Sequence, residues 1–140
     1  MQTFLPCKGP ILCANILDDK RLGKQRVEAI QILYTLLGFT DGWLHHPAVK
    51  MWKGYEPFLC YSYLRAMLND WTMRGFDNTR CNEHFKILCE LIPDSNIVQP
   101  WWLIDLLCLT HRSKLIQKRP DIYRPIFPNT PDNLEYWWPV

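Results

Sequence analysis

The stretch that most constrains this chain is Asp18–Leu37, DDKRLGKQRVEAIQILYTLL. At about 100° per residue, Leu22, Ala29, Ile30, Ile32, Leu33, Leu36 and Leu37 take most of one side of a helix, the arc a core needs. Lys20, Arg21, Lys24, Glu28 and Gln31 share an arc of roughly 100° on the polar side. A lone carboxylate inside a basic, half-exposed face suits chemistry on an anionic polymer. The plainer alternative is an i,i+4 pair of Lys24 with Glu28 on a solvated face, worth tenths of a kcal/mol. Arg26 falls on the apolar side, near Asp19, where a half-buried guanidinium needs a partner such as that carboxylate or a backbone carbonyl.

The rest of the chain also reads as helix. Met1–Pro6 is a short extended lead, and Lys8-Gly9-Pro10 signals a turn within Cys7–Ile16. Asp18 or Asp19 caps the leading helix, and Gly38 closes it. Phe39–Pro47 is a loop carrying Trp43, His45 and His46. Each of these two histidines reads as satisfied or solvent-facing. Ala48–Arg74 is a second helical region, kinked or restarted at Gly54 and Pro57. Its Trp52, Tyr55, Phe58, Leu59, Leu64, Leu68 and Trp71 recur at helical spacing, as a core stripe does. Asp77–Leu91 is a third helix. Trp101–Lys118 is a fourth, passing from an apolar half into a basic one. The expected fold is all-α: a single domain over residues 1–140, of three to four helices with long loops and an irregular tail rich in aromatics.

Composition narrows function less. Forty-eight per cent of the residues are hydrophobic and 21% charged, which provides a core and argues against general disorder. Net charge is only +2, so nucleic-acid binding would depend on a local basic stripe. No apolar run reaches the ~18 residues of a membrane span. Met1–Pro10 has neither the charged start nor the long apolar run of a secretory leader. These features fit an intracellular, cytoplasmic or nucleoid-associated protein with free thiols. Cys81-x-x-His84 with Cys89 is the best metal cluster but lacks a second ligand pair, so no metal is expected.

There is no phosphate loop, no His-Glu-x-x-His and no serine elbow. A free α-amine is a nucleophile that no side-chain motif announces. With an ordinary pKa near 7.7–8.0 it keeps a neutral fraction at cellular pH. It can form a Schiff base with a sugar carbon while a nearby carboxylate moves protons. Met1 and Glu28 are the candidates for that pair. Lys20, Arg21 and Lys24 are candidate phosphate contacts, and His111, Arg112 and Lys114 a candidate second clamp on the backbone. Trp137 and Trp138 read as lids on the core more than as stacking plates.

The segments LDDKRLGKQRVEAIQIL, HHPAVKMWKGYE, PWW, HRSKLIQKRPDIY and the final YWWP resemble those of small bacterial and phage proteins that begin with variants of MQTFLP. More remotely, the chain resembles the phage pyrimidine-dimer DNA glycosylase and abasic-site lyase family of the endonuclease V type. An ungapped match over the leading helix sets Glu28 on that family's catalytic glutamate, and Lys20 and Arg21 on polar DNA-contacting positions. Arg74-Gly75-Phe76 recurs, as does the segment around Arg119-Pro120 and Tyr123, where the family has an aromatic tail near the substrate.

The resemblance implies an all-helical enzyme, monomeric and without a cofactor, acting on damaged or modified double-stranded DNA. Its N-terminal amine would attack C1′, and β-elimination would cut the strand. The alternatives are a non-catalytic nucleic-acid-binding module and a protein-interaction or host-antagonist protein on the same scaffold. Three departures bear on specificity. Gln2, too bulky for ready methionine removal, leaves the amine to Met1 or to a processed terminus. Val27 stands where the family has an arginine, and the aromatic spacing differs beyond Tyr123.

Overall fold

The computed structural model describes residues 1–140 and is all-α. Its elements are α1 (Pro10–Ile16), α2 (Asp19–Leu36), α3 (Pro47–Lys50), α4 (Glu56–Phe58), a π-helical segment (Leu59–Leu64), α5 (Arg65–Met73), α6 (Thr79–Leu91), α7 (Asp105–Lys118) and α8 (Pro120–Tyr123). The helices are more numerous and shorter than expected. Three of the added ones are short pieces begun by a proline in the first turn, where its fixed φ suits a helix and its missing N–H costs nothing. The Lys8-Gly9-Pro10 turn signal is thus the start of α1. The second helical region breaks at Gly54, with φ +88, and resumes at Glu56.

The leading helix follows its sequence pattern. Leu22, Ala29, Ile30, Ile32 and Leu33 are buried in a core that takes in Trp52, Leu59, Tyr63, Leu64, Met67, Trp102, Leu107 and Leu115. The helix ends at Gly38, whose φ of +87 an L side chain rarely adopts. There Gly38 N–H donates to Thr35 O and Phe39 N–H to Tyr34 O, the paired reverse bonds that close a helix on a glycine. α5 ends in the same way at Gly75, with Phe76 folded back on Trp71 at 4.3 Å between ring centroids.

Residues 1–6 are extended and mostly buried, yet join no sheet. Buried backbone groups need partners, and side chains of distant helices supply them. Gln2 N–H donates to Glu28, Phe4 N–H to Gln25 and Leu5 N–H to His111 Nδ1. Phe4 O accepts from Tyr63 O–H, and Pro6 O from Arg112. The indole of Trp52 donates to Thr3 Oγ1. The head of the chain is threaded between α2, the π-helical segment and α7 and held residue by residue.

Arg26 is not paired with Asp19. Its guanidinium donates to Asn78 Oδ1 at 2.6 Å and lies 4.1 Å over the Trp71 ring. Asp19 pairs with Arg74 instead, at 2.8 Å. Arg74 also bonds Asp70 and the carbonyls of Ala14 and Leu17, so it fastens the end of α1 to α5. No helix is long and apolar enough to cross a membrane. All six cysteines are free, and no group of three His, Cys, Asp or Glu side chains could hold a metal ion. In the Cys81-x-x-His84 cluster, Cys81 accepts from Arg26 and His84 bonds Tyr34.

Candidate functional site

An open cleft of about 490 Å³ lies where the threaded N-terminus crosses α2. Met1, Gln2 and Phe4 form its floor; Lys20, Arg21, Lys24, Gln25 and Glu28 reach it from α2. His46, Lys118, Tyr136 and Trp138 complete its walls. Helical spacing brings the α2 side chains to one edge, as their shared arc requires. Gln31 belongs to a different hollow, beside Tyr34 and Trp43.

Glu28 is the only carboxylate lining the cleft and is 9% exposed. Its Oε2 accepts the Gln2 backbone N–H at 3.0 Å and the Gln25 amide at 3.4 Å. Oε1 has no protein partner and is not sealed from solvent. One oxygen is therefore anchored and the other is free for a ligand. Gln25 is itself fixed, since its Oε1 accepts from Phe4 N–H at 2.8 Å and Tyr63 O–H at 2.6 Å. The Met1 amine makes no ion pair: all seven ion pairs of the molecule join side chains.

His46 Nδ1 accepts the Ala48 N–H at 3.0 Å, which caps α3. Burial lowers the pKa of His46 and the positive Met1 amine lowers it further, against an upward pull from Glu28. The imidazole thus feels both members of the candidate pair. Burial pushes the Tyr136 hydroxyl up to about 12, so it is protonated and able to donate at neutral pH.

Lys20 and Lys24 are exposed at the rim, while Arg21 is half-buried and 3.3 Å from Asp18. The second clamp on α7 does not form. His111 is fully buried and spends Nδ1 on Leu5 N–H. Arg112 holds Pro6 O at 2.9 Å. Lys114 pairs with Glu135 at 3.1 Å and lies over the Tyr136 ring, pinning the tail. Tyr123 is not placed to meet DNA either: it has no exposed surface, and its hydroxyl donates to the Asp18 carboxylate. The charge pattern of α7 was visible in sequence, but the demand of the buried N-terminal thread for donors and acceptors was not.

Gln25, His46, Lys118, Tyr136 and Trp138 were not singled out for the site. His46 had a readable signal, because a polar residue directly before a proline at the start of a helix marks an N-cap. Trp137 and Trp138 are half-buried. Trp137 meets Trp101 edge-on, and Trp138 walls the cleft against His46 and Tyr136.

The scaffold is all-helical, and its main cleft brings one carboxylate, Glu28, beside Met1 and the cationic Lys20, Arg21, Lys24 and Lys118. The family model for pyrimidine dimer DNA glycosylases matches residues 1–83, more than half of the chain, and the chain belongs to that family. The matched stretch contains the N-terminal thread, all of α2 and His46, and it ends within α6. Lys118, Tyr136 and Trp138 are contributed from beyond it. No curated protein matches the chain, and no solved structure does.

Proposed function

We propose that the protein is a DNA repair glycosylase with abasic-site lyase activity, working through an amine at the head of the chain and Glu28. The observation that carries this reading is the 3.0 Å contact between the Gln2 nitrogen and Glu28 in a cleft ringed by lysines and Arg21. The neutral amine forms a bond to C1′ of the damaged nucleotide. The C1′–N bond breaks and the base leaves with the electron pair. Proton loss from nitrogen and opening of the sugar ring give the Schiff base. Removal of the C2′ proton then expels the 3′ oxygen and cuts the strand. The free Oε1 of Glu28 takes and returns the protons. Lys20, Arg21, Lys24 and Lys118 hold phosphates of the duplex.

Two nitrogens can fill the role of nucleophile. The Met1 amine is one, and the cleft leaves it unpaired. The Gln2 nitrogen, 3.0 Å from Glu28, is the other, in a chain processed to remove Met1 despite the bulk of Gln2. Borohydride reduction in the presence of duplex DNA containing an abasic site should trap a covalent complex. Peptide mapping of the adduct then identifies the residue. Glu28→Gln should lower turnover about 100-fold or more while retaining DNA binding. Absence of an adduct across several lesion types removes the mechanism.

A further inference from the structure

Two thiols face each other where the N-terminal thread ends, and neither lines the cleft. Cys7 Sγ lies 3.2 Å from Cys13 Sγ, about 1 Å beyond the length of a disulfide bond. The Lys8-Gly9-Pro10 turn leads from Cys7 into α1, which carries Cys13. The two environments differ. Cys13 is buried, and its S–H donates to Cys7 O at 3.3 Å. Cys7 is half-buried and within reach of solvent. The hydrogen bond with Cys13 brings the Cys7 thiol down to about 6 against the opposing effect of burial, with Arg112 aiding. The same contact, together with burial, pushes Cys13 up. A thiolate that solvent reaches thus stands beside a shielded thiol aimed at it, the arrangement of an attacking and a resolving cysteine. Other thiols lack it. Burial pushes Cys108 up to about 11 and Cys60 up to about 12.

We propose that Cys7 is a thiol-modification site that attacks low-molecular-weight disulfides, with Cys13 as the resolving cysteine that turns the adduct into a Cys7–Cys13 disulfide. The Cys7 thiolate bonds to one sulfur of the small disulfide, whose S–S bond breaks, and a small thiolate leaves with the electron pair. Cys13 then gives its proton to that thiolate, attacks Cys7 Sγ and expels the second small thiolate. Two protein thiols are oxidised and one small disulfide is reduced to two small thiols. Excess small thiol runs the exchange backward. The product ties the residue that follows the thread to α1, beside the point where Arg112 holds Pro6 O. This site stands apart from the amine–carboxylate pair and does not rest on the glycosylase reading.

The test treats the full chain with oxidised glutathione at pH 7. Free thiols are then alkylated in denaturant, and the peptides are mapped without reduction. Wild-type protein should yield the Cys7–Cys13 disulfide, with Cys60, Cys81, Cys89 and Cys108 still alkylated. Cys13→Ser keeps a hydrogen-bond donor beside Cys7 but has no resolving sulfur. It should stop at a glutathione adduct on Cys7, formed about tenfold or more faster than any on Cys60 or Cys108. Thermal melting checks the fold of the variant, and Cys13→Ala replaces it where serine unfolds the core. Dithiothreitol should reverse both products. Wild-type protein in which Cys7 and Cys13 both stay alkylated overturns the proposal. So does a disulfide pairing Cys7 with Cys108, or a folded Cys13 variant whose Cys7 reacts no faster than its buried thiols.

Discussion

His111 couples the folding of the whole N-terminal thread to pH. Its Nδ1 accepts Leu5 N–H at 2.9 Å, and its buried Nε2 has no partner. Burial lowers its pKa to about 3, against about 6.5 in an unfolded chain. Between those values the unfolded state binds the extra proton, so stability falls as pH falls. The contribution is fully present above pH 6.5. At pH 5 about 2 kcal/mol of it is lost, on the scale of 1.36 kcal/mol per pH unit. His46, also held below its ordinary value, works in the same direction. Urea unfolding should show a lower midpoint at pH 5.0 than at pH 7.5, with a smaller difference in His111→Asn. Equal stability at the two pH values would contradict a buried neutral histidine.

At the scale of elements, α2 must do two things at once: pack its apolar side and present the cleft from its polar side. Gly23 allows both. A Cβ built there would stand 2.9 Å from Trp71 Cη2 and 3.0 Å from Cζ3. The Trp71 ring cannot withdraw freely, since its indole N–H donates to Asp77 O, Phe76 packs on it and Arg26 lies over it. Alanine in a helix interior normally gains up to about 1 kcal/mol over glycine. Overpacking of this kind costs typically about 1–3 kcal/mol. Gly23→Ala should therefore destabilise the protein on balance, read as a lower melting temperature, and a raised one would refute the packing argument. The helix itself, its polar arc and its glycine stop at Gly38 were legible because local spacing and local backbone conformation encode them. The N-terminal thread was legible only as an extended lead. It has no period of its own, and its order comes from Gln25, Glu28, Tyr63, His111 and Arg112, all far along the chain. For the same reason the charges of α7 read as a surface clamp when they are fasteners for that thread and for the tail.

For the molecule as a whole, a net charge of +2 understates what a DNA strand would meet. Lys8, Arg74, Lys114, Arg119 and Arg124 are each paired with a carboxylate. Lys20, Lys24 and Lys118 have no ion-pair partner and line the cleft with Arg21, which is partly engaged by Asp18. Non-specific affinity should then depend on three to four phosphate contacts. Each contributes about −0.9 to the slope of log K against log salt, giving a slope of about −3 to −4. Fluorescence anisotropy with an undamaged duplex from low to physiological salt measures it. Lys20→Gln with Lys24→Gln should make the slope shallower by about 2. Glu28→Gln should leave the slope nearly unchanged and bind slightly more tightly, because it removes the one negative charge facing the strand. A slope insensitive to the paired lysine substitutions would place the DNA on another face, and the carboxylate and the chain terminus would then have no strand to act on.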